Sequence, residues 1–64
     1  MIIETALPFD ELEEIRAKSG AAVRLVLLGR VERNRIPLTK VLIEGPAEEI
    51  ERFMEKLRLA RAGG

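Results

Sequence analysis

The chain has 64 residues, and a chain of this length can bury only one thin core. It contains no cysteine and no histidine, which excludes disulfides and makes a transition-metal site improbable, while eleven lysines and arginines balance eleven acids. Apolar residues make up 47% of the chain and charged residues 34%. The apolar content is too high for a disordered chain, and the charged content is too high for a membrane span. We therefore expect a single soluble domain over residues 1–64, without a metal or a cofactor.

The first two elements are a strand and a helix. The stretch "MIIETAL", residues 1–7, is short, apolar and β-branched, which is typical of a strand, and the proline after it ends that strand. The next stretch predicts a helix from about residue 8 to 18. Asp10 and Glu13 stand in the spacing of a capping box, and Gly20 provides a left-handed stop.

The middle of the chain predicts a β-hairpin, because apolar and polar residues alternate on both sides of a turn around Asn34. Gly29 interrupts the first strand and indicates a bulge or bend. Pro37 restricts the start of the second strand to an edge or to the turn. One predicted sheet face carries Val23, Leu25, Leu27, Val41 and Ile43. The opposite face carries Arg24, Val26, Leu28, Arg30, Lys40, Leu42 and Glu44, and Ile2 is a further candidate for it.

The last element is an amphipathic helix that begins at Gly45-Pro46. Its apolar residues follow the helical repeat, and they are Ile50, Phe53, Met54 and Leu57. Gly63 is placed to cap its end. The order is therefore βαββα, which predicts an α+β, ferredoxin-like sandwich: an antiparallel sheet with two helices on one face, lacking the last strand of that fold.

This arrangement leaves two surfaces that favour self-association. The first strand lies at an open edge of the sheet, and edges of this kind pair with other chains. The sheet face away from the helices is too apolar for a purely solvated surface. We expect a homo-oligomer with an interface built from Ile3, Val26, Leu28 and Leu42.

Three arginines stand close together in "GRVERNRIP", residues 29–37. With neighbouring strand positions they form a candidate ligand or anion site, because guanidinium groups match phosphate oxygens. The residues of this candidate site are Arg24, Arg30, Arg33, Arg35 and Lys40. Nucleic-acid binding is one interpretation, but the only two aromatic residues, Phe9 and Phe53, are predicted to face the core instead of the sheet surface. The alternative is a solvated hairpin tip that forms ion pairs.

Catalysis is not expected. The chain has no His, Cys or Tyr, and Ser19 therefore has no imidazole to activate it. The ending "LRLARAGG" is similar to the tails of ubiquitin-like modifiers, but those modifiers have a ββαββ order. A helix cap or a frayed end accounts for Gly63 and Gly64 better.

The stretch "VRLVLLGRVERNRIPLTKVLIEGPAEEIERFMEKL", residues 23–57, resembles the NIL domain, a small ferredoxin-like module of methionine-importer ATPases and some ferredoxins. The resemblance rests on a hydrophobic-x-Gly-x-hydrophobic-Glu run, a hydrophobic strand ending in Gly, and a helix beginning with acids. The matching residues are Leu28, Gly29, Val31, Glu32, Val41, Leu42, Ile43, Gly45, Glu48, Glu49, Ile50 and Leu57. It implies a regulatory domain that pairs through its sheet and binds a small molecule, such as an amino acid, near the dimer interface.

The first expectation is thus a non-enzymatic regulatory or small-ligand-binding module that acts as a homo-oligomer. The alternatives are a nucleic-acid-binding domain that uses Arg30, Arg33 and Arg35, and a purely structural or designed domain with no ligand. No secretory signal is visible, so a cytoplasmic location is the default. The richness in Glu and Arg is compatible with a thermophilic source or a designed chain.

Overall fold

Five elements follow one another in the computed structural model, which describes residues 1–62. They are β1 (Ile2–Thr5), α1 (Phe9–Ser19), β2 (Arg24–Arg33), β3 (Ile36–Glu44) and α2 (Ala47–Ala62). The three strands form one antiparallel sheet in the order β1-β3-β2, and the predicted ferredoxin-like βαββα arrangement is confirmed. Gly63, the predicted cap, and the Gly63-Gly64 tail lie outside the described residues.

The helices lie on one face of the sheet and enclose the core with it. Over residues 1–60, whose burial the structure describes, eight apolar residues are buried: Leu12, Ala21, Val23, Leu25, Val41, Ile43, Phe53 and Leu57. The helical repeat of α2 is confirmed, since Ile50 and Met54 pack half-buried against this cluster. Leu27 lies on the same sheet face, opposite Val41, but 51% of it is exposed.

The start of α1 stands over the β2–β3 hairpin. A cavity of about 160 Å³ there has walls from both parts of the chain: Ala6, Pro8, Arg30, Pro37, Leu38 and Thr39. A right-handed crossover from β1 to β2 places α1 over the β2–β3 side of the sheet and leaves the β1 side to α2.

The ends of α1 differ in part from the expectation. Gly20 adopts a left-handed conformation with φ +70° and donates its N–H to the carbonyl of Ala17, as predicted. The predicted capping box is wrong. Pro8 occupies the N-cap position, so Asp10 already lies inside the first turn, where its Oδ1 accepts the N–H of Glu11 at 3.1 Å. Glu13 instead binds the Nε of Arg16 at 3.3 Å.

The hairpin contains the predicted bulge and turn. Leu27 pairs with Val41 and Gly29 with Lys40, so Leu28 is the extra residue of the bulge. At the other end Arg33 pairs with Ile36, and the two residues between them have positive φ. Positive φ at both positions defines a type I′ turn, whose twist matches that of the strands.

Pro37 occupies a local edge, as predicted. It pairs with Glu32 on β2, whereas the ladder between β1 and β3 extends only over Thr39 to Leu42 of β3. A proline at this position therefore removes no hydrogen bond to β1.

Candidate functional site

The sheet face that points away from the helices carries most of the exposed apolar side chains of the strands. We call it the open face, and its apolar residues are Ile2, Val26, Leu28, Val31, Ile36, Leu38 and Leu42. The pairings Ile2–Leu42 and Leu42–Val26 give one continuous apolar row across all three strands, and Val31–Leu38 gives a second row on the hairpin. The open face is thus a two-row apolar surface instead of isolated exposed residues.

The predicted interface residues lie partly on this face. Val26, Leu28 and Leu42 do so, whereas Ile3 pairs with the buried Val41 and packs against the core. Ile3 therefore lies on the opposite face of the sheet from the other three. Ile2, 56% exposed, is the residue of β1 that completes the apolar row.

Between the two apolar rows the bulge leaves a position of the open face without a side chain. Gly29 has φ +140°, and a Cβ built on it meets no atom within 4 Å. Lys40 is its cross-strand partner, and Glu4 lies on the other side of Lys40. Lys40, a half-buried residue, therefore borders a position of the open face that has no side chain.

Arg33 and Glu4 form an ion pair on the open face. Arg33 donates two hydrogen bonds to Glu4, from Nε to Oε1 and from Nη2 to Oε2, both at 3.0 Å. These hydrogen bonds hold the pKa of the Glu4 carboxyl below its ordinary value, and the charges of Arg33 and Lys40 act in the same direction. The pair raises the pKa of Arg33 in turn. A bidentate pair of this kind fixes the orientation of both side chains.

The five cations proposed as a ligand or anion site do not form one cluster. Arg33 is occupied by Glu4, and Arg24 lies 4.0 Å from Glu44 at the opposite end of the sheet. Lys40 lies in the middle of the open face, and Arg35 is at the tip of the hairpin. The basic hairpin is thus divided between ion pairs and separate positions.

Arg30 was predicted on the open face, and this is wrong. The extra residue in the bulge reverses the alternation of β2, so Arg30 pairs with the buried Thr39 and lines the cavity on the helix side. The same reversal moves Val31 and Arg33 onto the open face. Glu4, the partner of Arg33, was not identified as a site residue, because only the register between β1 and β3 brings it there.

Two further surface grooves involve α2. One of about 360 Å³ is lined by Glu51, Met54, Glu55, Leu57 and Arg58. The other, of about 210 Å³, lies between the end of α1 and α2 and is lined by Lys18, Ser19, Arg52, Glu55, Lys56 and Leu59. Over residues 1–62, no group of three or more acidic, His or Cys side chains is arranged to hold a metal ion. No helix in that range is long and apolar enough to cross a membrane.

A family profile, CHP_AF_0576, described as an uncharacterised protein, matches residues 1–64, and the chain belongs to that family. No curated protein and no solved structure matches the chain. The resemblance to the NIL domain therefore stays a prediction.

Proposed function

We propose that this protein is a non-enzymatic regulatory module that self-associates through its open face and holds a small ligand, such as an amino acid, at that interface. The observation that carries the proposal is the apolar row Ile2–Leu42–Val26, which crosses the full width of the sheet on the side without helices. The NIL-like pattern of residues 23–57 agrees with a regulatory role. The proposal also agrees with the placement of Leu28 on the same face.

Pairing of two open faces would bury side chains that the monomer leaves in water. Ile2 is 56% exposed and Leu28 is 45% exposed. Complete burial of an aliphatic side chain contributes about 1.5–3 kcal/mol, so burial of the exposed half contributes roughly 1 kcal/mol per residue. Ile2, Leu28 and Ile36 in two copies therefore contribute roughly 6 kcal/mol, and the half-buried residues of the open face add smaller amounts toward offsetting the entropy cost of association.

The open space above Gly29 is the ligand position that agrees best with this interface. Lys40 borders it and provides a cation for the carboxylate of an amino acid, while Leu28 provides apolar contact for its side chain. When a second open face covers this position, water is excluded and the ion pair becomes stronger.

The first experiment is the mass in solution, measured by light scattering at low and high salt for the wild type, Leu28→Glu and Leu27→Glu. Leu28 and Leu27 are neighbours of similar exposure on opposite faces, so Leu27→Glu is the matched control. We expect a salt-resistant oligomer for the wild type and the control, and loss of the open-face contact for Leu28→Glu. If Leu28→Glu keeps the mass of the wild type, the open face is not an interface.

The ligand is tested by thermal unfolding with a panel of free amino acids, because a ligand that binds the folded state raises its midpoint. We expect Lys40→Met to abolish that shift while the oligomer remains. If none of the amino acids shifts the midpoint of the wild type, the ligand part of the proposal fails and the interface part stands on the mass measurement.

Nucleic-acid binding is the second candidate. It is favoured by one observation: Arg30 and Arg35 form no ion pair with the other side chains that the structure describes. Binding through these residues would weaken steeply with salt, and Arg30→Gln with Arg35→Gln would abolish it. A titration of labelled single-stranded RNA and of duplex DNA at two salt concentrations tests this candidate; salt-independent binding, or none, rejects it.

A further inference from the structure

The two edges of the sheet differ in how well they are protected. The edge strand β2 contains a bulge and carries the charges of Arg24, Arg30, Glu32 and Arg33, and both devices hinder pairing with another strand. The edge strand β1 pairs with β3 without any register shift and carries one charged residue, Glu4. β1 is therefore the edge strand with fewer features that hinder pairing with another strand.

The hydrogen bonds of Met1 determine which groups of β1 point outward. Met1 and Ile43 exchange two bonds: the amino group of Met1 donates to the Ile43 carbonyl at 3.0 Å, and the Ile43 N–H donates to the Met1 carbonyl at 2.7 Å. In an antiparallel ladder such pairs alternate with pairs that make no bond to each other. Ile2 and Glu4 consequently direct their N–H and C=O groups away from β3, four backbone groups in all.

We propose that β1 pairs in antiparallel fashion with β1 of a second copy, about a two-fold axis that passes through Ile3. Ile2 of each copy lies opposite Glu4 of the other, and the four outward groups of one chain meet those of the second in four hydrogen bonds. The result is one continuous six-stranded sheet with all helices on the same face. Such a two-fold contact is self-complementary, because the same residues are used by both copies.

Charge selects this register over its neighbours. Sliding one strand by two residues in one direction places Glu4 opposite Glu4 of the second copy, and like charges directly opposite each other are destabilising. Sliding it the other way places Ile2 opposite Ile2 of the second copy and leaves the outward groups of Glu4 without partners on β1. The proposed register uses all four groups and avoids the like-charge contact.

The helices support the same axis. α2 covers the β1 side of the sheet, and its groove of about 360 Å³ is lined by residues of α2 alone, whereas the groove that α2 shares with α1 is the separate one of about 210 Å³. Two-fold symmetry makes the two α2 helices antiparallel, and the proposed contact sets Glu51 of one copy opposite Arg58 of the other around a centre near Met54. This gives two symmetric ion pairs beside the paired strands, with Met54 between them.

This surface differs from the open face, and the proposal goes beyond the proposed function. The hydrogen-bonding edge and the outer side of α2 contain neither Leu28 nor Val26. A chain that uses both surfaces forms an assembly larger than a dimer, and removal of either contact leaves the other.

The first test blocks the edge without changing a side chain. The full 64-residue chain is prepared by chemical synthesis with and without an N-methyl group on Ile2, which removes one outward N–H but no bond to β3. The self-association constant is measured by analytical ultracentrifugation, and amide exchange of Ile43 reports whether the Met1–Ile43 pair is intact. We expect association through the edge to weaken more than about tenfold. A methylated chain that associates like the unmodified one, or an unmodified chain that is monomeric at millimolar concentration, would overturn the proposal.

The second test reverses the charges on α2. Glu51→Arg and Arg58→Glu, made singly, each replace two attractive contacts with two repulsive ones, and we expect the association constant to fall about tenfold. The double variant restores opposite charges and should associate within about threefold of the wild type. Failure of the double variant to recover would contradict the antiparallel α2 contact. Because Leu28→Glu acts on the other face, failure of this proposal and failure of the proposed function give different patterns.

Discussion

The junction between β3 and α2 gives a sharp prediction about stability. Gly45 has φ +153°, a conformation that residues with a side chain rarely adopt, and a Cβ added there would lie 3.0 Å from the backbone carbonyl oxygen of Ala22 and 3.1 Å from Cγ1 of Val23. The backbone strain alone costs about 1–3 kcal/mol. The contact adds to it, because a backbone oxygen next to a buried strand has little room to move. We therefore expect Gly45→Ala to lower the free energy of unfolding by roughly 3–4 kcal/mol.

Gly29→Ala is the matched control for this prediction. Gly29 has a similar φ of +140°, but an added Cβ meets no atom within 4 Å, so this variant reports the strain without the contact. Both variants are unfolded by heat and by urea at one fixed protein concentration, since self-association makes the midpoint depend on concentration. We expect Gly45→Ala to melt at least about 5 °C below Gly29→Ala, because 1 kcal/mol corresponds to about 4–8 °C in a domain of this size. Equal midpoints would refute the argument that contact with Ala22 and Val23 requires a glycine.

Three further predictions concern the turn, the core and the charge pair. Arg35→Gly should stabilise the fold by about 1 kcal/mol in urea unfolding, because φ is +67° at this position of the type I′ turn and glycine adopts it without strain; a lower midpoint would contradict this. Phe53 is completely buried, so Phe53→Ala should lose about 3–5 kcal/mol, most of the stability of so small a domain, and the far-ultraviolet circular dichroism melt should shift accordingly; an unchanged melt would contradict its place in the core. The pKa of Glu4 is lowered in the folded state, so its stabilising effect is present above the ordinary pKa near 4.5 and is lost as pH falls through the lowered value. Arg33→Gln should move the Glu4 pKa toward 4.5 in a carboxyl-carbon NMR titration, and an unchanged titration would show that the bidentate pair does not form.

The sequence predicts elements well where a local signal decides them. The alternation of β2, the stop at Gly20, the bulge at Gly29 and the helical repeat of α2 are all readable from neighbouring residues, and each is present. The capping box fails because Pro8 determines where α1 begins, whichever residues follow at the right spacing. Local pattern therefore gives the elements but not every detail of their ends.

The faces of the residues were harder to predict, because they depend on register. In "MIIETAL" both Ile2 and Ile3 are apolar, so only the pairing of β1 with β3 decides that Ile2 lies on the open face. The position of Arg30 depends on whether the bulge contributes one extra residue, which a glycine alone does not determine. The pair of Arg33 with Glu4 joins residues that are far apart in the sequence and on different strands, and no local pattern signals it.

Ile2 is part of both proposed contact surfaces: its side chain belongs to the open face, and its backbone belongs to the β1 edge. If both contacts form, Ile2→Ala should weaken only the open-face contact and N-methylation of Ile2 only the edge contact, so this one residue can separate the two modes of association.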